Sequence, residues 1–318
     1  MALDCVFMGA PRFAASILAS VLAWPGARVV GVFTQPDRAC GRGQKCQPTP
    51  VKVLALERGL AVYDPPHFKT EANVDLVRSL APDVLLVAAY GLILPQTVLD
   101  VPRCGAINVH TSLLPKYRGA APIQRAILAG ENFTGVTIMR VEQQLDSGPI
   151  LMQRALAIGE NESAGEVEEQ LADLGARLLI ETLGRLVQGK SKAIAQNHTL
   201  ATYAAKVEKS EGRIDFNQPA QEIHNRIRAM TPRPGAYFDW NAPNRKAPVR
   251  LALVPGRIGE TIAPGSAAPG SILGLHGEEL AIACADRAYL VPCLQPAGKK
   301  EQSARAFACG YLSKLACR

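Results

Sequence analysis

The sequence predicts a doubly wound α/β domain with a mostly parallel sheet, followed by a smaller domain of short β-strands. Three observations predict it. Over residues 1–189, apolar runs of strand length alternate with segments whose apolar residues recur at helical spacing, as strand–helix–strand units require. Over 190–208 that periodicity fades into a polar stretch containing lysines, a candidate linker. Over 209–318 short apolar runs follow one another between Gly and Pro, as the strands of a small closed barrel do.

Taken in order, residues 3–8, 28–33, 83–88, 106–110 and 136–141 read as strands, rich in aliphatic residues and bounded by turn formers. Between them, 13–23, 51–58, 74–80 and 122–129 carry apolar residues at helical spacing, with Gly59 and Gly130 as stop signals. A last long helix opens where Ser163 and Glu166 have capping-box spacing, carries Val167, Leu171, Leu174, Leu178 and Leu186, and ends at Gly189. Past the linker, 219–230 reads as an amphipathic helix. The runs 236–240, 249–254, 271–275, 279–283 and 288–291 read as short strands, which suggests a barrel of oligonucleotide-binding (OB-like) type. The expected division is a catalytic domain at 1–189, a linker at 190–208 and a barrel at 209–318.

With 48% hydrophobic and 20% charged residues over 318 positions, the chain has the composition of a soluble protein and the length for two domains. No apolar run reaches the roughly 18 residues of a membrane span, and Asp4 stands where a signal peptide would be basic, so a cytoplasmic protein is expected. The eight cysteines include no Cys-x-x-Cys pair and lack histidines at metal-ligand spacing; free thiols and no metal site are expected. Residues 1–189 hold 17 Lys/Arg against 18 Asp/Glu, whereas 209–318 hold 15 against 9. The basic excess lies in the C-terminal third, the footprint of a polyanionic partner.

The densest functional signal runs from Asn108 to Asp146. In Gly105-Ala106-Ile107-Asn108-Val109-His110 the apolar and polar residues alternate. A strand there buries Ile107 and Val109 and projects Asn108 and His110 together from the other face, building a two-donor site at a strand end. Pro115 in Ser112-Leu113-Leu114-Pro115 forbids a continued central strand, and Arg118-Gly119-Ala120-Ala121-Pro122 is a small-residue turn into a helix. The first strand–helix turn, Met8-Gly9-Ala10-Pro11-Arg12-Phe13, has one glycine where a dinucleotide fingerprint has three, which argues against NAD. Residues 35–45 form a glycine-rich, basic loop, longer than usual between a strand and a helix and suited to an RNA groove.

These segments together resemble the formyltransferases that use 10-formyltetrahydrofolate, and over residues 7–314 the chain is similar to the methionyl-tRNA formyltransferase family. The resemblance implies a Rossmann-like formyltransferase domain joined to an OB-like barrel that binds tRNA. The implied reaction moves the formyl group of 10-formyltetrahydrofolate to the α-amino group of methionine on charged initiator tRNA, giving formylmethionyl-tRNA for translation initiation. Asn108, His110 and Asp146 match the family's catalytic trio. Because formyl transfer passes through a tetrahedral intermediate, Asn108 and His110 would donate to the oxyanion while Asp146 orients His110. Ser112, Leu113, Leu114 and Pro115 match the folate-contacting loop, and Tyr90, Gly91, Leu92 and Ile93 part of the pterin pocket.

The loop bearing Arg38, Arg42 and Lys45 matches one that enters the tRNA acceptor arm, with Arg42 its principal basic residue, and Lys206, Lys209, Lys299 and Lys300 are candidate phosphate contacts. Arg12, Gln44, Phe216 and Arg233 depart from the family pattern. The cofactor implied is 10-formyltetrahydrofolate as cosubstrate, with no metal and no NAD. The partners implied are charged initiator tRNA and the folate, with no membrane, and a monomer is expected. Three alternatives stand beside this: formyl transfer to a small amine such as glycinamide ribonucleotide or an amino sugar nucleotide, hydrolysis of formyltetrahydrofolate, and a non-catalytic RNA-binding role. The basic C-terminal third and the long loop weigh against the first. The joint presence of Asn108, His110 and Asp146 weighs against the last.

Overall fold

The computed structural model describes residues 2–40, 45–242, 247–263 and 265–312. The chain divides into two compact units, one of Met1–Pro122, Thr134–Ala157 and Glu168–Ala204, the other of Ile123–Phe133, Ile158–Val167 and Ala205–Arg318.

The first unit begins with β1 (Leu3–Gly9), α1 (Arg12–Ala23) and β2 (Ala27–Phe33), then a hairpin of β3 (Arg38–Cys40) and β4 (Lys45–Gln47). The chain continues through α2 (Pro50–Glu57), β5 (Val62–Tyr63), α3 (Glu71–Ser79), β6 (Val84–Ala88), a short α4 (Gln96–Leu99), β7 (Ala106–His110) and β8 (Arg118–Gly119). After α5 (Pro122–Leu128) come β9 (Phe133–Arg140), β10 (Ile150–Ala157), the long α6 (Ala164–Val187) and β11 (Tyr203–Ala204). Seven strands form one sheet in the order β10-β9-β7-β6-β1-β2-β5. From β5 to β7 neighbouring strands run parallel, and β9 joins β7 antiparallel.

The local causes are visible residue by residue. β1 is buried along nearly its whole length, as a central parallel strand must be when both faces are covered. Thr49 caps α2 by accepting from Lys52 N at 3.1 Å, with Pro50 in the first turn. The capping box read at Ser163 and Glu166 opens α6: Ser163 N donates to Glu166 Oε2 at 2.8 Å and Glu166 N to Ser163 Oγ at 3.4 Å. Hydrogen bonds from Ser163 hold the Glu166 carboxyl below its ordinary range. On one side of the sheet, Val6, Met8, Phe33, Leu85, Tyr90 and Leu94 form part of a buried cluster, each such side chain stabilising the fold by about 1.5–3 kcal/mol.

The chain builds the sheet outward from β1 in one direction through β2 and β5, then returns to its other side with β6 and β7. That reversal defines a crevice at the carboxyl ends of the strands, where α/β sheets bind ligands. Gly9 is level with Ala88 and Val87 with Asn108, so the ends of β1, β6 and β7 share that edge.

The second unit has α7 (Ala220–Met230), two four-stranded antiparallel sheets and α8 (Ala304–Tyr311). Strands β12 (Ala236–Trp240), β13 (Val249–Leu253), β14 (Arg257–Thr261), β15 (Ile272–His276), β16 (Glu279–Ala283), β17 (Arg287–Val291), β18 (Cys293–Pro296) and β19 (Gln302–Ser303) are ordered β12-β13-β18-β19 and β14-β17-β16-β15. Ile223, Ile227, Leu251, Ile282, Tyr289 and Phe307 are buried in it. Phe216, one of the departures from the family pattern, packs edge-on against Phe238 at 4.9 Å in this core, whereas Arg233 is exposed.

Several elements escape the sequence reading. The hairpin strands, β5 and β19 have two or three residues each, too short for a periodic signal, β18 ends in proline, and β14 and β10 are largely exposed with no clean alternation. The stretch 190–208 is more than a connector: its part up to Ala204 belongs to the first unit. Ile150 and Ile194 exchange both backbone hydrogen bonds at 2.8 Å, and β11 lies parallel to β8. Among the described residues no helix is long and apolar enough to cross a membrane.

Candidate active site

β7 carries the alternation read from the sequence. Ile107 and Val109 are buried, and Asn108, half-buried, lies between Val87 of β6 and Met139 of β9. Among the described residues its carboxamide has no hydrogen-bond partner, so its N–H groups remain available for a ligand. His110 closes the strand opposite Thr137 and is itself buried. Its Nε2 lies 3.0 Å from the Tyr117 carbonyl oxygen. A carbonyl only accepts, so Nε2 carries a hydrogen, and in the neutral form of the ring Nδ1 is the bare nitrogen. That Nδ1 lies 3.7 Å from Asp146 Oδ2. The Tyr117 carbonyl occupies Nε2, so Nδ1 is the ring nitrogen that faces Asp146.

Asp146 sits in the turn after β9, with φ at +47°. A non-glycine residue there costs roughly 1 kcal/mol, least for Asp and Asn, and persists only when its surroundings hold it. Three hydrogen bonds do so. Gly119 N donates to Asp146 Oδ2 at 2.8 Å, and the Gln196 carboxamide donates to the Asp146 and Gly148 carbonyls at 2.9 and 2.7 Å. Gly119 itself has φ at +115°, and a Cβ there would lie 2.8 Å from the Ala204 carbonyl oxygen on β11. Glycine is therefore required where β8 passes β11. A Cβ at Gly148 would overlap the Arg140 carbonyl oxygen, which explains the small residue two places after Asp146.

The loop from Ser112 to Pro115 is organised from within. Ser112 is fully buried and its hydroxyl donates to the Lys116 carbonyl at 2.7 Å. Thr137 Oγ1 donates to Ser112 O at 2.6 Å and accepts from Leu114 N at 3.1 Å, while Gln153 Nε2 donates to Leu114 O at 2.9 Å. The Ser112 side chain shapes the loop; Leu113 and Pro115 are its half-exposed members. In the second loop, Tyr90 turns its ring into the core, 6.3 Å from Phe68, where burial pushes its phenol pKa up. Gln35 Nε2 donates to the Tyr90 carbonyl at 2.7 Å, and it is Gly91 and Ile93, the latter 89% accessible, that face outward. Leu92 is half-buried.

The basic residues fall into two groups. Arg38 and Lys45 lie on the paired strands of the β3–β4 hairpin, whose base is held by Lys52, bonded to Asp37 at 2.8 Å and Asp64 at 2.9 Å. Arg42 and Gln44 lie outside the described residues. Lys206, Lys209, Lys299 and Lys300 are exposed on the second unit, where Arg213, Arg250, Arg257 and Arg305 are paired with acidic side chains. Arg12, another departure, lies 3.7 Å from Glu169 at the surface. Among the described residues no cluster of His, Cys, Asp and Glu could hold a metal ion.

Residues 5–183 match the formyl transferase family, and residues 206–312 match the C-terminal domain of formyl transferases. The chain belongs to the formyl transferase family. The methionyl-tRNA formyltransferase of Nitratidesulfovibrio vulgaris strain DP4 is 54% identical over 98% of this chain and 94% of its own length. That of Desulfovibrio desulfuricans is 45% identical over the same shares. Among solved structures, an N-formyltransferase from Helicobacter canadensis, in complex with folinic acid and dTDP-3-aminofucose, gives a TM-score of 0.66 at 18% identity, covering 93% of this chain and 100% of that one. HypX from Aquifex aeolicus, in complex with tetrahydrofolic acid, gives 0.64 at 16%, covering 99% and 48%. At such identities these two structures speak for the fold.

Within this formyl transferase, sequence reasoning missed the residues that fasten the Asp146 turn and the loop from Ser112 to Tyr117. Thr137, Gln153, Thr202 and Gln196 are single polar residues with no local pattern, and each acts on a segment 16 to 85 positions away. A buried polar residue in a strand, as at Thr137, is the one signal that a sequence could have offered.

Proposed function

We propose that this formyl transferase acts on methionyl initiator tRNA, with 10-formyltetrahydrofolate as donor, as a cytoplasmic monomer. The observation that carries the reading is the arrangement at the carboxyl edge of the sheet: the open Asn108 carboxamide, and His110 Nδ1 directed at Asp146 Oδ2 at 3.7 Å with Nε2 bonded to Tyr117. The identity to curated methionyl-tRNA formyltransferases selects the acceptor.

In this reading the neutral α-amine of methionine attacks the formyl carbon, forming a C–N bond and placing negative charge on the formyl oxygen. The Asn108 amide donates to that oxyanion, a contribution of about 2.7–4 kcal/mol for one well-placed donor. As the attacking nitrogen becomes positive, His110 Nδ1 accepts its proton. The resulting imidazolium then has both N–H groups against acceptors, Asp146 Oδ2 and the Tyr117 carbonyl, so the protonated state is matched before the reaction begins. Collapse breaks the bond to folate N10, which takes a proton and leaves as tetrahydrofolate. The half-exposed Leu113 and Pro115 and the outward Gly91 and Ile93 would flank the folate ring.

Lys206, Lys209, Lys299 and Lys300 on the second unit would contact tRNA phosphates. Arg38 and Lys45, with Arg42 between them in the sequence, would follow the acceptor end. The test is transfer of labelled formyl from the folate. Label on charged initiator tRNA supports the reading; label on an amino sugar nucleotide, on glycinamide ribonucleotide or in free formate overturns it.

A further inference from the structure

Gln196 is 6% accessible, and its carboxamide uses every hydrogen-bonding position it has. Nε2 donates to the carbonyls of Asp146 and Gly148, at 2.9 and 2.7 Å. Oε1 accepts from Arg118 Nη2 at 2.7 Å and Arg118 Nε at 3.2 Å. Arg118 is almost wholly buried, and its Nη2 also donates to His198 Nδ1 at 3.1 Å.

Arg118 has only donors, so it fixes which way the amide points: oxygen toward the guanidinium and nitrogen toward the two carbonyls. The opposite orientation would set N–H against N–H and oxygen against both carbonyls. The residue after Arg118, Gly119, donates to the Asp146 carboxylate itself. One short strand therefore controls Asp146 at both ends, the side chain directly and the backbone through Gln196.

We infer that Gln196, oriented by Arg118, is a positioning residue that holds the Asp146 turn in its left-handed conformation and so aims the carboxylate at His110. The inference rests on the proposed catalytic role of Asp146. It differs from a mere staple between distant segments because those segments have their own fastenings. Ile150 and Ile194 exchange two backbone hydrogen bonds, and Tyr117 N and Arg118 N donate to Thr202 Oγ1 and O. Removal of the Gln196 carboxamide leaves them intact.

The experiment compares Gln196→Met, Gln196→Glu, Arg118→Lys and Asp146→Asn in the full chain, by formyl transfer to charged initiator tRNA, calorimetric folate binding and thermal unfolding. Gln196→Met is expected to lower kcat by about 10- to 100-fold, the scale of a misplacement near 1 Å, with KM for both substrates within about twofold of wild type. Gln196→Glu keeps the acceptor for Arg118 but sets carboxylate oxygens against two carbonyls. Its kcat should fall by about as much as in Gln196→Met, with KM likewise little changed, because no N–H remains to hold the Asp146 and Gly148 carbonyls. Arg118→Lys, with one compact ammonium in place of a fork, should fall between. If Gln196→Met unfolds, Gln196→Glu carries the test, since its pairing with Arg118 retains the fold.

Wild-type kcat in both Gln196 variants, with Asp146→Asn impaired, overturns the inference and leaves the Asp146 assignment standing. Full activity in Asp146→Asn overturns the catalytic reading itself.

Discussion

Replacing Asp146 by asparagine removes one charge and nearly preserves shape, which makes it the sharpest probe of the trio. The amide oxygen can still accept from Gly119 N, which now lies 2.8 Å from Oδ2, the same oxygen that stands 3.7 Å from His110 Nδ1. Folding and folate binding are therefore expected to survive. What disappears is the counter-charge to an imidazolium. At the 3.7 Å separation of Nδ1 and Oδ2, a full charge pair interacts by about 4 kcal/mol at an effective dielectric near 20. With about half a proton transferred in the transition state, the loss is about 2 kcal/mol. Since about 1.4 kcal/mol is a factor of ten in rate, kcat should fall between roughly 30- and 1000-fold. The assay is single-turnover transfer at saturating folate and charged tRNA, with the folate Kd measured calorimetrically on the same preparation. A variant with unchanged Kd and more than about a third of wild-type turnover would refute the electrostatic account of Asp146.

Gly119→Ala should destabilise the protein by about 1–3 kcal/mol in urea unfolding, because alanine is strained at φ +115° and its Cβ meets the Ala204 carbonyl at 2.8 Å; wild-type stability would contradict the required glycine. His224 gives a pH signature. Buried, with Nδ1 3.1 Å from the Tyr289 phenol oxygen and Nε2 3.0 Å from the Glu160 carbonyl, it has its pKa lowered mainly by desolvation. The unfolded chain takes up that proton first, so the His224 contribution is complete above its unfolded value near 6.5 and diminishes as pH falls below it. His224→Gln should flatten the decline of Tm between about pH 6.5 and 5, and an unchanged slope would exclude His224 as its source. Lys299→Ala or Lys300→Ala should weaken all tRNAs alike and lower the salt slope by about one for each phosphate no longer neutralised. Arg42→Ala should impair transfer to initiator tRNA beyond a uniform drop in affinity; equal effects on initiator and elongator tRNAs would make it one more phosphate contact.

The parts of this molecule legible in its sequence are those fixed by local periodicity or caps. The alternation over 105–110 identifies β7 and the shared face of Asn108 and His110, and Ser163 with Glu166 marks the start of α6, because both patterns are complete within a few residues. Legibility ends where the deciding contact is distant. Tyr90 reads equally as pocket wall or core residue, and only the packing against Phe68 shows that its ring points inward. Gln196 lies in a polar stretch whose lack of pattern suggests a linker, yet its neighbours are fastened to β8 and to Ile150. Which nitrogen of His110 holds a hydrogen follows from Tyr117, seven residues on, through a turn that no periodicity describes.

The short pairing of β8 with β11 bears on the order in which this protein matures. Tyr203 and Ala204 lie beside Arg118 and Gly119, about 85 positions later in the chain, and Gln196 reaches Asp146 across 50. Contacts of that separation close late, since the entropy of a long loop must be overcome before they form. On a ribosome, residues 108 to 146 emerge with Asn108, His110 and Asp146, the proposed trio, and without Gln196 and Thr202. A nascent chain therefore carries these three side chains in unassembled form until about the two-hundredth residue has been made, and Asp146 gains its bonds from Gln196 only when that later segment has folded back.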